Sequence, residues 1–146
     1  MIELEREAAS IADFVTKAAG GVMSYYENIP EGFAVPSVYF PKPDVISGGD
    51  TFSGYSTEYT IFINFFHSST ELAYELALPV LHKINEARRL IPVIDKKGKY
   101  VRITNAELKK VDECAYQLQI DWTSRHPYTR EDVQLVQNFY LNGGKI

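Results

Sequence analysis

The sequence has a single cysteine, Cys114, among 146 residues. That excludes an intrachain disulfide and a cysteine-rich zinc site, and it points to a reducing, cytosolic place of synthesis. Long hydrophobic runs are missing too. No stretch approaches the roughly 18 consecutive apolar residues of a membrane span. The opening MIELEREAAS carries acids where an export signal needs a basic region and then an apolar run, so no signal peptide is expected. Basic charge is in deficit: 15 Lys and Arg face 19 Asp and Glu, for a net charge of −4 and a pI near 5.4. A generic grip on nucleic acid through net basicity does not fit that balance.

The motifs of familiar chemistry are absent as well. His67, His82 and His126 are the only histidines, and no two share the short spacing of a metal pair. There is no HExxH, no G-x-S-x-G, no P-loop and no G-x-G-x-x-G. Gly48-Gly49 is not closely followed by a helix start that could cradle phosphate. Glu58, Glu71, Asp95 and Asp121 read as solvated carboxylates. The expectation is therefore no enzyme, no cofactor and no metal. A small hydrolase using His67 or His126 with a nearby carboxylate is the rival, and a cleft where titratable groups converge would mark it.

What the chain does have is one strong strand–helix unit, Tyr59 to Arg89. Tyr59–Phe66 is almost wholly β-branched or aromatic, the composition of a pleated strand. Both of its alternating faces look mostly apolar, which predicts a central strand covered on each side. Ser68-Ser69-Thr70-Glu71 then reads as a capping box in which Ser68 accepts the Glu71 N–H. Leu72, Leu76, Val80, Ile84 and Ala87 follow at helical spacing, with Ala73, Ala77 and Leu81 widening the stripe. Pro79 lies inside that helix and should kink it, and Arg88 and Arg89 fall in its expected last turn.

Around this unit the chain reads in order. Apolar residues from Ile11 to Ile29 predict an amphipathic helix over about Glu5 to Asn28, interrupted by Gly20 and Gly21. Ala34 to Phe40 predicts a short strand, placed at an edge or begun only after Pro36. Ser47 to Thr51 predicts the mobile tip of a hairpin leading into the long strand. Leu90–Ile94 and Lys99–Ile103 flank Asp95-Lys96-Lys97-Gly98 as a second hairpin. Thr104 to Glu107 reads as a helical turn. Cys114, Tyr116, Leu118, Ile120 and Trp122 then alternate with polar Gln117, Gln119 and Asp121, which predicts a strand with one buried and one wet face. Cys114 falls in the buried set, as an inert thiol. Thr129 is expected to cap a short last helix carrying Val133, Val136, Phe139 and Tyr140, ended by Asn142-Gly143-Gly144. The prediction is one α+β domain over residues 1–146. It has a mostly antiparallel sheet with room for one parallel crossover through the central helix, a long N-terminal helix, that central helix after the long strand, and a short C-terminal helix.

Function must then rest on surface. Three regions are candidate interfaces: the loop Ser47, Gly48, Gly49, Asp50 and Thr51; the basic turn Lys96, Lys97 and Lys99; and the polar ladder Gln117, Gln119 and Asp121. For the turn, solubility alone is the plainer explanation. Tyr39, Phe40, Phe52, Tyr55 and Tyr59 crowd the first hairpin, a composition that suits protein–protein contact.

VPSVYFP (Val35 to Pro41), the run YTIFINFFHSSTELAYELALPVLHKI (Tyr59 to Ile84), LIPVIDKKGKYVRI (Leu90 to Ile103) and LQIDWTSRHPY (Leu118 to Tyr128) together resemble small phage and prophage proteins of the tail terminator family. The resemblance implies an α+β fold and a virion component made in the bacterial cytoplasm. It implies a ring, usually a hexamer, that caps the tail tube and joins it to the head–tail connector. The partners it implies are further copies of the chain, the tail tube protein and the connector protein, with no membrane and with DNA only as passing cargo. A neck adaptor or head-completion protein is the nearest alternative, and a small binding domain that adds a strand to a partner is a further one.

Overall fold

The computed structural model describes residues 3–26, 28–49 and 52–127. Helix α1 spans Glu3–Ala18 and buries Ile11, Ala12 and Val15. It stops ten residues earlier than its apolar spacing predicts. The Gly21 N–H bonds the Thr16 carbonyl at 2.9 Å and the Gly20 N–H bonds the Lys17 carbonyl at 3.1 Å, with both glycines at positive φ. That paired closure satisfies the last carbonyls of a helix and suits glycine, which has no Cβ to clash. The residues beyond it form strand β1, Met23–Tyr26.

Strand β2, Ser37–Phe40, begins just after Pro36, whose peptide bond with Val35 is cis. β3, Asp44–Gly49, and β4, Gly54–Phe66, form the expected hairpin. Ser47 to Gly49, expected in the loop, belong to β3 instead. Gly54 has a reason to be glycine: a Cβ there would come within 2.9 Å of the His126 carbonyl oxygen.

Helix α2 runs from Thr70 to Glu86 and continues through the exposed Pro79. Its cap is one residue later than predicted. The Ser69 Oγ accepts the Leu72 N–H at 3.2 Å, while Ser68 lies outside the helix against His67. Its buried stripe is Ala73, Ala77, Val80 and Ile84; Leu72 is exposed. The N-terminal half of that stripe is two fully buried alanines. Arg88 and Arg89 are not in the last turn. Both have positive φ, and their N–H groups close the helix onto Asn85 and Ile84, the arrangement that glycines make at the end of α1.

β5, Leu90–Pro92, pairs with the start of β6, Tyr100–Asp112, across the predicted turn, where Asp95 and Gly98 take positive φ. The stretch Thr104 to Glu107 is strand, not a helical turn, although the β6 register slips between Ile103 and Asn105. A bulge of this kind re-aims a strand without ending it. β7, Ala115–Pro127, follows a tight turn in which Cys114 has φ 61°. Cys114 is therefore a half-buried turn residue, with its thiol 3.5 Å from the Ser68 carbonyl, and not a member of the buried set.

The seven strands among the described residues form one sheet in the order β1-β2-β4-β7-β6-β5, with β3 paired beside β2 on the same side of β4. β4 is the spine: all thirteen of its residues pair with β7, while β2 and β3 share its other side. Among the described residues the only parallel pair is β1 with β2, so the sheet is mixed, but not through α2. Among the described residues there are two helices. The predicted C-terminal helix, with Val133, Val136, Phe139 and Tyr140, lies outside them. The fold is α+β.

Both helices lie on one face, α2 on β7, β6 and β4, and α1 against α2, β5 and β6. Ile61, Ile63 and Phe65 of β4 and Leu118, Ile120 and Trp122 of β7 fill the space beneath them, each at most 2% exposed. Each such side chain contributes on the order of 1.5–3 kcal/mol by leaving water. The opposite face of β4, expected to be covered too, is not closed among the described residues: Thr60, Phe62, Asn64 and Phe66 are all half-buried.

Candidate functional site

The open face of the sheet is built by alternation. Tyr59, Ile61, Ile63 and Phe65 point to the helices, so Thr60, Phe62 and Asn64 point away. β4 and β7 pair in register, so Thr60 sits opposite Asp121, Phe62 opposite Gln119 and Asn64 opposite Gln117. Beyond β7 the same rows continue through Asn105, Glu107 and Lys109 of β6, and beyond β4 Asp44 of β3 sits opposite Thr60.

The polar side chains of this face bond one another, beside the half-buried Phe62 and Phe66. The Gln117 amide donates to Asn64 Oδ1 at 3.2 Å. The Gln119 amide donates to both Asp121 carboxylate oxygens at 3.3 Å, and the Asn105 amide donates to Asp121 Oδ2 at 3.3 Å. Partnered amides of this kind hold fixed positions while keeping spare donors and acceptors, which suits a face that meets another surface through hydrogen bonds.

The structure thus joins two of the three predicted regions. The ladder Gln117, Gln119 and Asp121 and the strand carrying Ser47, Gly48 and Gly49 belong to one continuous sheet. Asp50 and Thr51 lie outside the described residues. The basic turn Lys96, Lys97 and Lys99 connects β5 and β6, at the opposite margin of the same sheet from β3. Sequence reading missed Thr60, Asn64, Asn105 and Lys109 as members of the open face. Thr60 and Asn64 were the available signal, two polar residues at alternate positions in an otherwise apolar strand.

A second cluster lies under α1. The buried Glu7 carboxylate accepts the Ser124 hydroxyl at 2.7 Å. Close by, the Tyr59 hydroxyl is 3.5 Å from His126 Nε2, and the Tyr59 ring stacks on Trp122 at 5.1 Å. Burial raises the Tyr59 pKa above its usual value, and nearby Glu7 and Tyr55 add to the rise; a hydrogen bond with Thr57 pulls the other way. His126 and a carboxylate are both present here, one of two groupings among the described residues that a hydrolase could draw on; the other is His67, which lines an open hollow with Asp112, Glu113 and Cys114. The bonding is not that of an activated nucleophile. Ser124 is held by Glu7 and not by an imidazole, and His126 faces a phenol. His67 bonds the backbone and side chain of Ser68, its sequence neighbour. Among the described residues no group of His, Cys, Asp and Glu could hold a metal ion. No described helix is long and apolar enough to cross a membrane.

No protein-family model matches the chain. Two proteins of Bacillus subtilis (strain 168) do. The uncharacterized protein YqbJ is 31% identical over 145 residues, covering 97% of this chain and 99% of its own. The phage-like element PBSX protein XkdJ is 30% identical over 145 residues with the same coverage. Among solved structures, a chain from the virion of a native gene transfer agent particle aligns with a TM-score of 0.53. It is 13% identical, and the alignment covers 84% of this chain and 96% of that one, so the two share a fold. Identity near one third along nearly the whole of both chains makes this protein a member of the family of the phage-like element protein XkdJ and of YqbJ.

Proposed function

We propose that this protein is a structural component of a phage-type particle, and that within it the protein acts as a tail terminator. Copies form a ring on the end of the tail tube, stop its growth and present a surface to the head–tail connector. The observation that carries the reading is the full-length relationship to a protein of a phage-like element. The fold shared with a chain of a gene transfer agent virion supports it. So does the character of the candidate site, a sheet face whose polar side chains are bonded to one another. Work of this kind needs no bond-making; the geometry of repeated contacts is enough.

The test is assembly. Purified protein is added to the tail tube protein of the same element while tubes polymerise, and tube lengths are read by electron microscopy. A terminator shortens the tubes and appears as a cap at one end. Tubes of unchanged length and bare ends at saturating protein would refute the role.

A further inference from the structure

The margins of the sheet are unlike. On one side, β3 pairs with β4 through Asp44–Gly49, and among the described residues nothing pairs with its outer edge. An open edge of this kind is a row of free backbone donors and acceptors, and proteins normally blunt it with lysine, proline or bulges. β3 has none of these. It holds no Lys and no Pro, its register with β4 is unbroken, and it exposes Val45 at 51% and Ile46 at 66%. On the other side, β5 covers only Tyr100 to Arg102 of β6, so the outer edge from Asn105 to Asp112 is unpaired among the described residues.

Charge separates the two margins as well. Beside the β3 edge stand the exposed acids Asp44 and Glu58. The β5–β6 margin exposes Arg88, Arg89, Lys99, Arg102, Lys109 and Lys110, against Glu107 and Asp112 on β6 itself.

We infer that the outer edge of β3 is the subunit contact, and that its occupant is the open β6 edge of a second copy of this chain. Pairing β3 with β3 would set Asp44 and Glu58 against their own copies. Pairing β3 with β6 sets acids toward cations and apolar Val45 and Ile46 over a strand that carries exposed Val111 near its end. The contact joins unlike surfaces, so it is heterologous and repeats head to tail, the kind of contact that closes rings. The sheets of neighbouring copies run on into one another, and their polar faces line up on one side. This inference rests on the ring reading above and names the surfaces that would make the ring.

The experiment uses the full chain with Cys114→Ser, which removes the one native thiol. Ile46 and Lys109 both belong to the open face, so the double variant I46C/K109C is compared with I46C alone under mild oxidation, with I46C/V111C covering a two-residue slip in register. Cross-linked ladders beyond the dimer in a double variant, absent from I46C, are the expected result. A dimer from I46C alone means that β3 pairs with itself and overturns the inference. A second variant, Ile46→Lys, changes a side chain that is already mostly in water. Its melting temperature should stay that of the native chain, while self-association weakens by roughly tenfold or more, as expected when a charge blunts an edge. If native protein and I46K both form rings and cap tubes, the edge assignment falls and the terminator reading stands. If the native protein neither assembles nor caps, both fall.

Discussion

The two faces of this sheet are made by the same strands and obey different rules. On the covered face, Ile61, Ile63, Leu118 and Ile120 have lost essentially all contact with water and touch the helices. On the open face, the residues between them, Thr60, Phe62, Gln117, Gln119 and Asp121, are half-exposed; Gln117 and Asp121 bond across strands and Gln119 bonds Asp121 along its own strand. The first face is fixed by the need to bury apolar area and contributes most of the stability. The second contributes little to stability, so its residues are available for contact. The covered face and the open face are thus separated by one layer of backbone.

Substitutions can break or sharpen that contrast, and the largest effect belongs to the covered face. Ile120→Ala should cost about 2–5 kcal/mol, because it deletes buried methyl groups and leaves a cavity; urea denaturation measures it. Ala77→Leu should cost about 1–3 kcal/mol, since Ala77 is fully buried in the core and added methyl groups overpack it. Ser69→Ala should cost about 1 kcal/mol by leaving the Leu72 N–H without its cap, read as a fall in melting temperature with the tertiary signal intact. Arg88→Gly should raise stability by about 1 kcal/mol, because Arg88 holds a left-handed conformation, φ 58°, that costs a residue with a Cβ. The smallest change belongs to the open face. Gln119→Ala should shift stability by no more than about 0.5 kcal/mol. A loss of several kcal/mol there would mean that the open face is part of the core after all.

The pH dependence of Tyr59 sharpens the contrast between buried and open tyrosines. Its folded pKa lies above the unfolded value near 10, so the unfolded chain releases that proton first. Stability tied to the neutral phenol is complete below that value and declines as pH rises through the raised folded pKa. Ultraviolet titration of Tyr59→Phe against the native chain should show the loss of one late-ionising phenol.

Much of the architecture was legible in the residues. The long strand, the helix after it, the Asp95–Gly98 turn and the polar ladder each carry a local signature of period, cap or turn chemistry. The misreadings share a cause. Apolar spacing ran on past Gly20 and Gly21, but a paired helix closure at two positive-φ residues stopped α1 and turned the remainder into β1. Thr104 to Glu107 had the look of a cap, yet pairing with β7 kept it extended. Phe62 and Phe66 made the second face of β4 look like core, although Thr60 and Asn64 align with the polar residues of β7.

Sequence alone determined the α+β composition, the central strand and the want of a catalytic motif, because those depend on residue type and spacing along a few turns of chain. Only the tertiary structure decided which face of the sheet the helices cover, that β3 and β2 share one side of β4, and that an unblunted edge and a basic margin stand on opposite sides of one sheet. Those facts depend on which distant strands pair, and pairing is chosen by the total area buried and the backbone bonds completed across the whole sheet, which no short stretch of residues encodes.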